Sequence, residues 1–280
     1  MMDTVLAAVQ RFLPQHLISR TVGWIASTHK QPFAKLLIHS FVRLYDIDLT
    51  EAEKPNPDAY ASFNAFFTRA LRSDARIPAS DPDLILSPVD GTISQCGGIE
   101  SGQLLQAKDR RFTVSQLLGG DDDLAVVYEQ GRFLTIYLAP HNYHRIHMPL
   151  AANLVQMRHV PGRLFSVGPA TTRAVHNLFA RNERVAFHFT SSFGPVSLIM
   201  VGALNVGSIE TVHEGVVTSG SRESRQWNYV PALSFERNQE LARFNLGSTV
   251  IILFANDGPS LAQHLRPGET LKLGEPIAKI

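Results

Sequence analysis

Cysteine is almost missing from this chain. Cys96 is the only one in 280 residues, so no intrachain disulfide forms and no multi-cysteine metal site can be built. That scarcity fits a reducing compartment. Long apolar runs are missing as well, and nothing approaches the roughly 18 uninterrupted apolar residues of a membrane-spanning helix. The N-terminus carries Asp3 and lacks the early basic cluster of a signal peptide. Charge of one sign is not in excess: 26 Lys and Arg face 25 Asp and Glu, which leaves no footprint for a nucleic-acid partner. Internal repeats and low-complexity tracts are absent. What remains is an ordinary globular composition, long enough for one large domain or two small ones.

One local absence is informative. Between Thr4 and Tyr45 there is no acidic residue, yet Arg11, Arg20, Lys30, Lys35 and Arg43 are all there. The same stretch reads helical. Val5, Leu6, Val9, Phe12 and Leu13 recur at helical spacing until Pro14 interrupts them, and Leu17, Ile18, Val22 and Ile25 resume the pattern. Pro32 suits the first turn of a further helix, with Phe33, Leu36, Leu37, Phe41, Leu44 and Tyr45 on one face. After a linker from Pro55 to Asp58, a short helix is expected behind Ser62, through Phe63, Phe66 and Phe67.

From about Leu84 the texture changes to short β-branched runs bounded by Gly, Pro and Asp, which is strand grammar. The predicted strands include Leu84–Leu86, Leu124–Tyr128, Phe133–Leu138, Val185–Phe189, Val196–Val201 and Thr249–Phe254. Pro267-Gly268 and Leu273-Gly274 mark turns between short C-terminal strands. The expected fold class is α+β: a helical region over residues 1–75, packed on a mainly antiparallel β domain over residues 76–280.

Three blocks carry chemistry. In Leu246-Gly247-Ser248-Thr249 a hydroxyl stands at the entrance of a strand. An internal acyl shift needs that hydroxyl to reach the preceding carbonyl, and Gly247 leaves the approach free of a Cβ; a bare Gly-Ser pair is equally an ordinary turn. The second block is Pro140 to Pro149, with His141, His144 and His147 inside seven residues. Imidazoles titrate near neutrality and suit proton transfer. Three of them also admit a metal site or a solvated loop, although no cysteine or carboxylate cluster accompanies them. The third is Ser87-Pro88-Val89-Asp90-Gly91, where Asp90 is either a turn residue or the carboxylate that orients a histidine.

Together these blocks resemble the phosphatidylserine decarboxylase family of the bacterial, self-processing type. Leu-Gly-Ser-Thr at 246–249 is similar to its processing motif, and Tyr143-His144-Arg145-x-His147 and Ser87-Pro88-x-Asp90-Gly91 are similar to its other signature blocks. Further matches are Phe63-Asn64-x-Phe66-Phe67, Pro161-Gly162-x-Leu164-Phe165-Ser166-Val167, Asn182-Glu183-Arg184, and Val201-Gly202-Ala203 through Val206-Gly207-Ser208. They follow the family's order along nearly the whole chain.

The resemblance implies the following. Asp90 orients His147, and His147 deprotonates Ser248, whose oxygen attacks Gly247. The chain divides into 1–247 (β chain) and 248–280 (α chain), which stay together as a heterodimer, with self-association of that unit left open. Ser248 becomes a covalent pyruvoyl group that forms a Schiff base with phosphatidylserine, and loss of carbon dioxide leaves phosphatidylethanolamine. His144 is the candidate acid that returns a proton, and Ser166 a candidate for touching the substrate's carboxylate or phosphate. His141 and Asn142 carry no role, and no metal is implied. The basic, acid-free helical region then reads as a peripheral attachment to an anionic membrane, on the cytoplasmic face of the cell membrane. Two rivals stand beside this. An unprocessed serine hydrolase using Ser248, His147 and Asp90 lacks the Gly-x-Ser-x-Gly elbow, and a biotinyl- or lipoyl-like carrier lacks a lysine at a hairpin tip.

Overall fold

A computed structural model describes residues 10–107, 110–204, 208–218 and 223–279. The expected helical contacts of Val5, Leu6 and Val9, and the motif residues Val206 and Gly207, lie outside the described residues.

The N-terminal part is helical. Helix α1 (Gln15–Ala26) starts directly after Pro14, and helix α2 (Gln31–Tyr45) has Pro32 in its first turn. Helix α3 (Phe63–Phe67) is capped by the Ser62 side chain, which accepts from the Ala65 N–H at 3.1 Å. Tyr60 and Phe66 bury Ile38 of α2, with Phe41 and Val42 partly buried against them. The apolar stripe expected on α2 therefore divides. Ala34 and Ile38 face inward, whereas Leu36 and Leu44 remain 63% and 75% exposed. Phe12, Leu17 and Trp24 are exposed too.

The rest is mainly antiparallel β structure. Its largest sheet has eight strands, ordered Arg225–Phe235, Ala152–Val160, Arg184–Ser191, Gly194–Gly202, Ser248–Phe254, Arg132–Leu138, Gly91–Gly98 and Thr270–Leu271. Every neighbouring pair is antiparallel. The strand Ser248–Phe254 is buried along its whole length, which explains its unbroken run of apolar and β-branched residues. A smaller sheet joins Arg145–His147 to Glu240–Asn245, and that strand to Ser208–Thr211. The architecture is α+β, as expected. Among the described residues no helix is long and apolar enough to cross a membrane.

One expected strand is a helix. Leu124–Tyr128 reads as β-branched, but Asp122–Val126 is helical, with the Asp121 side chain accepting from the Leu124 N–H. Asp121 caps the helix, and Asp122 and Asp123 lie at its positive end, so local electrostatics outweigh the valines. The two C-terminal turns form as read, with Gly268 and Gly274 at φ +95° and +87°.

Candidate active site

Two links run side by side between the two sheets. The strand Arg132–Leu138 pairs with Ser248–Phe254 in the large sheet, and Arg145–His147 pairs with Glu240–Asn245 in the small one. Residues 139–144 and 246–247 therefore make the same crossing in opposite directions. They are tied where the Phe244 N–H donates to the His144 carbonyl at 3.0 Å. This topology brings the Gly-Ser pair and the histidine block together although about a hundred residues separate them.

Ser248 is 1% exposed, and its Oγ has no hydrogen-bond partner among the described residues. A buried, unbonded hydroxyl is costly and marks either strain or chemistry. The unusual backbone lies two residues earlier: Leu246 has φ +92°, a conformation that costs a side-chain-bearing residue on the order of 1–3 kcal/mol. Leu246 is held there by Ala26 of α1 and Phe67 of α3, with which it forms a small buried cluster. A Cβ built on Gly247 meets no described atom within 4 Å outside its two chain neighbours, so any crowding of the Ser248 hydroxyl by a side chain at 247 would arise within the Gly-Ser pair itself. The left-handed backbone falls on Leu246 and not on Gly247.

His144 is fully buried, its ring 4.1 Å from that of Phe67. Nδ1–H donates to the Asn142 carbonyl at 2.8 Å, and Nε2 has no hydrogen-bond partner among the described residues. Burial depresses its pKa to about 3, so at neutral pH it is an uncharged imidazole whose Nε2 carries a lone pair. His147 is held differently. Nδ1–H donates to the Asn238 carbonyl at 2.7 Å, and Nε2 accepts the Tyr143 hydroxyl at 2.9 Å. Burial lowers its pKa, and it raises that of Tyr143, which stays a neutral phenol.

Asp90 does not bond to His147 here. Its carboxylate accepts from Arg76 Nε at 3.1 Å and Nη2 at 2.5 Å, and from the Leu273 N–H at 2.7 Å. Arg76 also reaches Glu51 at 2.8 Å. The Asp90 loop still adjoins the histidine, since the His147 N–H donates to the Pro88 carbonyl at 2.9 Å, and the Asp90 charge favours protonation of His147. The hydrogen-bond orientation expected of Asp90 is supplied by Asn238, whose backbone sits at φ +67°. A main-chain carbonyl carries no sequence signal, so that contact was illegible beforehand.

Ser166 lies in the Pro161–Gly168 segment and is half-buried. Arg69, which the sequence did not single out, is 5% exposed, and its guanidinium lies 5.4 Å over the Phe66 ring. Nη2 donates to the His141 carbonyl at 3.1 Å while Nη1 is buried and unbonded. His141 itself points to solvent, and the three imidazoles do not converge. Among the described residues no three His, Cys, Asp or Glu side chains gather in a metal-binding arrangement.

Above Leu246 opens an apolar trough of about 270 Å³ between α1, α2 and α3, lined by Val22, Ile25, Leu37, Phe41, Leu44 and Phe63 among others. Its inner end is the Ala26–Phe67–Leu246 cluster. The region thus combines a buried serine hydroxyl, two neutral imidazoles, a buried cation and an apolar trough.

The chain is similar to known proteins over its whole length. The family model described as phosphatidylserine decarboxylase matches residues 63–279, and a second, described as PSD, matches residues 6–46. The chain is 44% identical over 285 residues to a phosphatidylserine decarboxylase proenzyme of Shewanella frigidimarina, covering all of this chain and 99% of the relative. It is 49% identical over 277 residues to that of Alkalilimnicola ehrlichii, covering 96% of each. The Bordetella pertussis proenzyme is 48% identical over 281 residues, which covers 97% of this chain and 95% of the relative.

Proposed function

The chain belongs to the phosphatidylserine decarboxylase family of carboxy-lyases, and from that premise we propose that it decarboxylates phosphatidylserine to phosphatidylethanolamine with a pyruvoyl group made from its own Ser248. The observation that carries this reading is the Ser248 hydroxyl, buried and unbonded two residues after the left-handed Leu246. No described residue bonds to it, and its own preceding carbonyl is the electrophile nearest in the chain.

Processing needs a base. When the Ser248 proton is taken, Oγ bonds to the Gly247 carbonyl carbon, the C–N bond breaks, the nitrogen takes up a proton, and an ester joins the two halves. Loss of the Ser248 α-proton then expels the Gly247 carboxylate, and hydrolysis of the remaining end releases ammonia. Residues 1–247 and 248–280 stay associated as β and α chains, because Ser248–Phe254 is paired on both sides within the large sheet.

His147 is the proposed base. Asn238 holds its Nδ1–H, so Nε2 is the basic atom; the Tyr143 hydroxyl now on it must move aside or relay the proton. Asp90, bound by Arg76, acts on His147 as a nearby negative charge. A second reading makes His144 the base, because its Nε2 and the Ser248 Oγ are both buried without partners among the described residues.

The buried unbonded atoms at Ser248 and His144 suit a small carbonyl group in this position. Once formed, the pyruvoyl group supplies an electrophilic ketone conjugated to a second carbonyl, an electron sink for the pair left behind by carbon dioxide. His144 starts neutral, so it serves as the returning acid only after accepting a proton in the same cycle. The substrate's ammonium is a source for it. Arg69 is a counter-charge for the anionic headgroup, and Ser166 a contact for its carboxylate or phosphate.

The apolar trough at Leu246 and the exposed apolar residues of α1 and α2 support a substrate drawn from a bilayer, with the chain attached peripherally to the cytoplasmic face. A serine hydrolase is disfavoured by the burial of Ser248. Purified protein should convert phosphatidylserine to the ethanolamine lipid with release of carbon dioxide. Hydroxylamine, which captures ketones, should abolish this; turnover indifferent to hydroxylamine would remove the pyruvoyl assignment.

A further inference from the structure

Three consecutive backbone amides, those of Leu164, Phe165 and Ser166, lie in no strand, and each ends on the carboxamide oxygen of a buried side chain. The Leu164 N–H donates to Gln15 Oε1 at 2.9 Å, the Phe165 N–H to Asn182 Oδ1 at 3.0 Å, and the Ser166 N–H to Gln10 Oε1 at 2.8 Å. Gln10, Gln15 and Asn182 are 8%, 3% and 0% exposed. Buried amides outside a sheet ladder need such acceptors, and here two of the three come from the N-terminal segment.

The segment is thus suspended between two anchors. On one side, Asn182 Nδ2 donates at 2.8 Å both to the Phe165 carbonyl and to the carbonyl of Gly202. Gly202 is the cross-strand partner of Ser248, so Asn182 fixes the segment to the strand end beside the reacting residue. On the other side, Gln10 Nε2 donates to Thr171 Oγ1 at 3.3 Å, and Gln15 Nε2 donates to the Gln10 carbonyl at 2.7 Å. Arg163 Nη2 donates to the Arg11 carbonyl at 2.6 Å, and His16 Nε2 to the Gly162 carbonyl at 2.8 Å. Immediately beyond lie the outward-facing Phe12, Leu17 and Trp24. Packing alone would be met by Leu or Met at positions 10 and 15; carboxamides add a fixed height and register for the Ser166 backbone.

We propose that Gln10 and Gln15 are positioning residues which set the Ser166 segment against the Ser248 strand end, so that substrate capture depends on how the N-terminal segment is seated. The proposal rests on the reading of Ser248 as the reaction centre. It gives the N-terminal segment a second task besides attachment: the wall that meets the headgroup is hung from the part of the chain nearest the lipid.

The test uses the full-length, self-processed enzyme and a short-chain, water-soluble phosphatidylserine, which removes the membrane from the assay. Gln10→Met keeps the volume and loses both hydrogen bonds. It should raise KM about fivefold or more, since one hydrogen bond is worth about that factor, with kcat within about twofold of wild type. Amide exchange should rise in the peptide covering residues 163–168, while chain cleavage and binding to anionic vesicles stay as in wild type. Gln10→Glu retains the acceptor for the Ser166 N–H and should bring KM back towards wild type. Should Gln10→Met not fold, Thr171→Val loosens the same carboxamide from its other end and should shift KM and exchange in the same direction. Unchanged KM and unchanged exchange in whichever variant folds overturns the proposal. So does lost vesicle binding together with an unchanged KM on the soluble substrate, which would make Gln10 an anchor only. Failure of the underlying reading looks different: wild-type protein would then neither divide nor release carbon dioxide, whatever stands at position 10.

Discussion

At the scale of single residues, the two histidines are separable by their bonds. His147 has both ring nitrogens engaged, whereas His144 offers a bare Nε2. His144→Ala should still divide into two chains yet lose about 100- to 10,000-fold in turnover, the range for a proton-transfer group. His147→Ala should accumulate the undivided chain. A gel and a lipid-product assay on the same samples check both, and an undivided His144→Ala would favour His144 as the processing base. Asp90 has a structural task besides. Its pair with Arg76 is nearly buried, with side chains 11% and 8% exposed, and removing one partner of such a pair costs about 3–5 kcal/mol. Asp90→Ala should therefore lower stability in urea by an amount of that order, and Arg76→Met should recover part of it. A double-mutant cycle with no coupling would refute the pair's contribution. Ser248, Gly247, His144, His147 and Asp90 stood out in the sequence through the three motif blocks and the family those blocks resemble, since a Gly-Ser pair or a Pro-x-Asp-Gly turn by itself is ordinary. Their bonds were not, because Asn238 and Asn142 contribute main-chain carbonyls and Arg76 comes from a segment without a motif.

At the scale of elements, helix boundaries were readable where a cap or a proline announces them, as at Pro14, Pro32 and Ser62. Strand runs were readable where burial on both faces demands apolar residues, as at Ser248–Phe254. Leu124–Tyr128 misled because its composition and its caps disagree, and the caps decide a five-residue helix. The α2 stripe also exceeded its core contact, and the surplus is what remains for another apolar phase. Trp24→Ser combined with Leu44→Ser should weaken binding to anionic vesicles about tenfold or more, since each buried large apolar side chain is worth on the order of 1.5–3 kcal/mol. Raising the salt should weaken it further through Arg20, Lys30 and Arg43. Sedimentation with vesicles measures both effects, and undiminished binding by the double variant would exclude this face as the attachment. At the link between sheets, Gly247→Ala should fold with near-normal stability because its Cβ meets nothing. A processing defect in that variant would then belong to the attack geometry alone.

At the scale of the whole molecule, folding and chemistry meet in the acid range. Burial lowers the pKa of His144 to about 3 and of His188 to about 4, and it lowers those of His147 and His213. In the unfolded chain these groups titrate near 6.5, so between about pH 6.5 and 4 the unfolded state binds more protons. Stability is therefore fully present above about pH 6.5 and falls as the pH drops through that window, by up to about 1.4 kcal/mol per pH unit for each of the buried His144 and His188; His147 acts in the same direction, and the partly exposed His213 by less. The urea midpoint should decline from pH 7 to pH 5, less steeply in His188→Gln, and a flat profile would contradict the burial of these rings. The central claim is that one buried hydroxyl cuts its own chain and leaves a ketone behind. An intact mass spectrum of the purified protein tests it most directly. The account predicts two species corresponding to residues 1–247 and 248–280, the smaller with a pyruvoyl group in place of Ser248, and a single full-length species for Ser248→Ala. A single full-length mass from wild-type protein that still releases carbon dioxide from phosphatidylserine would contradict it.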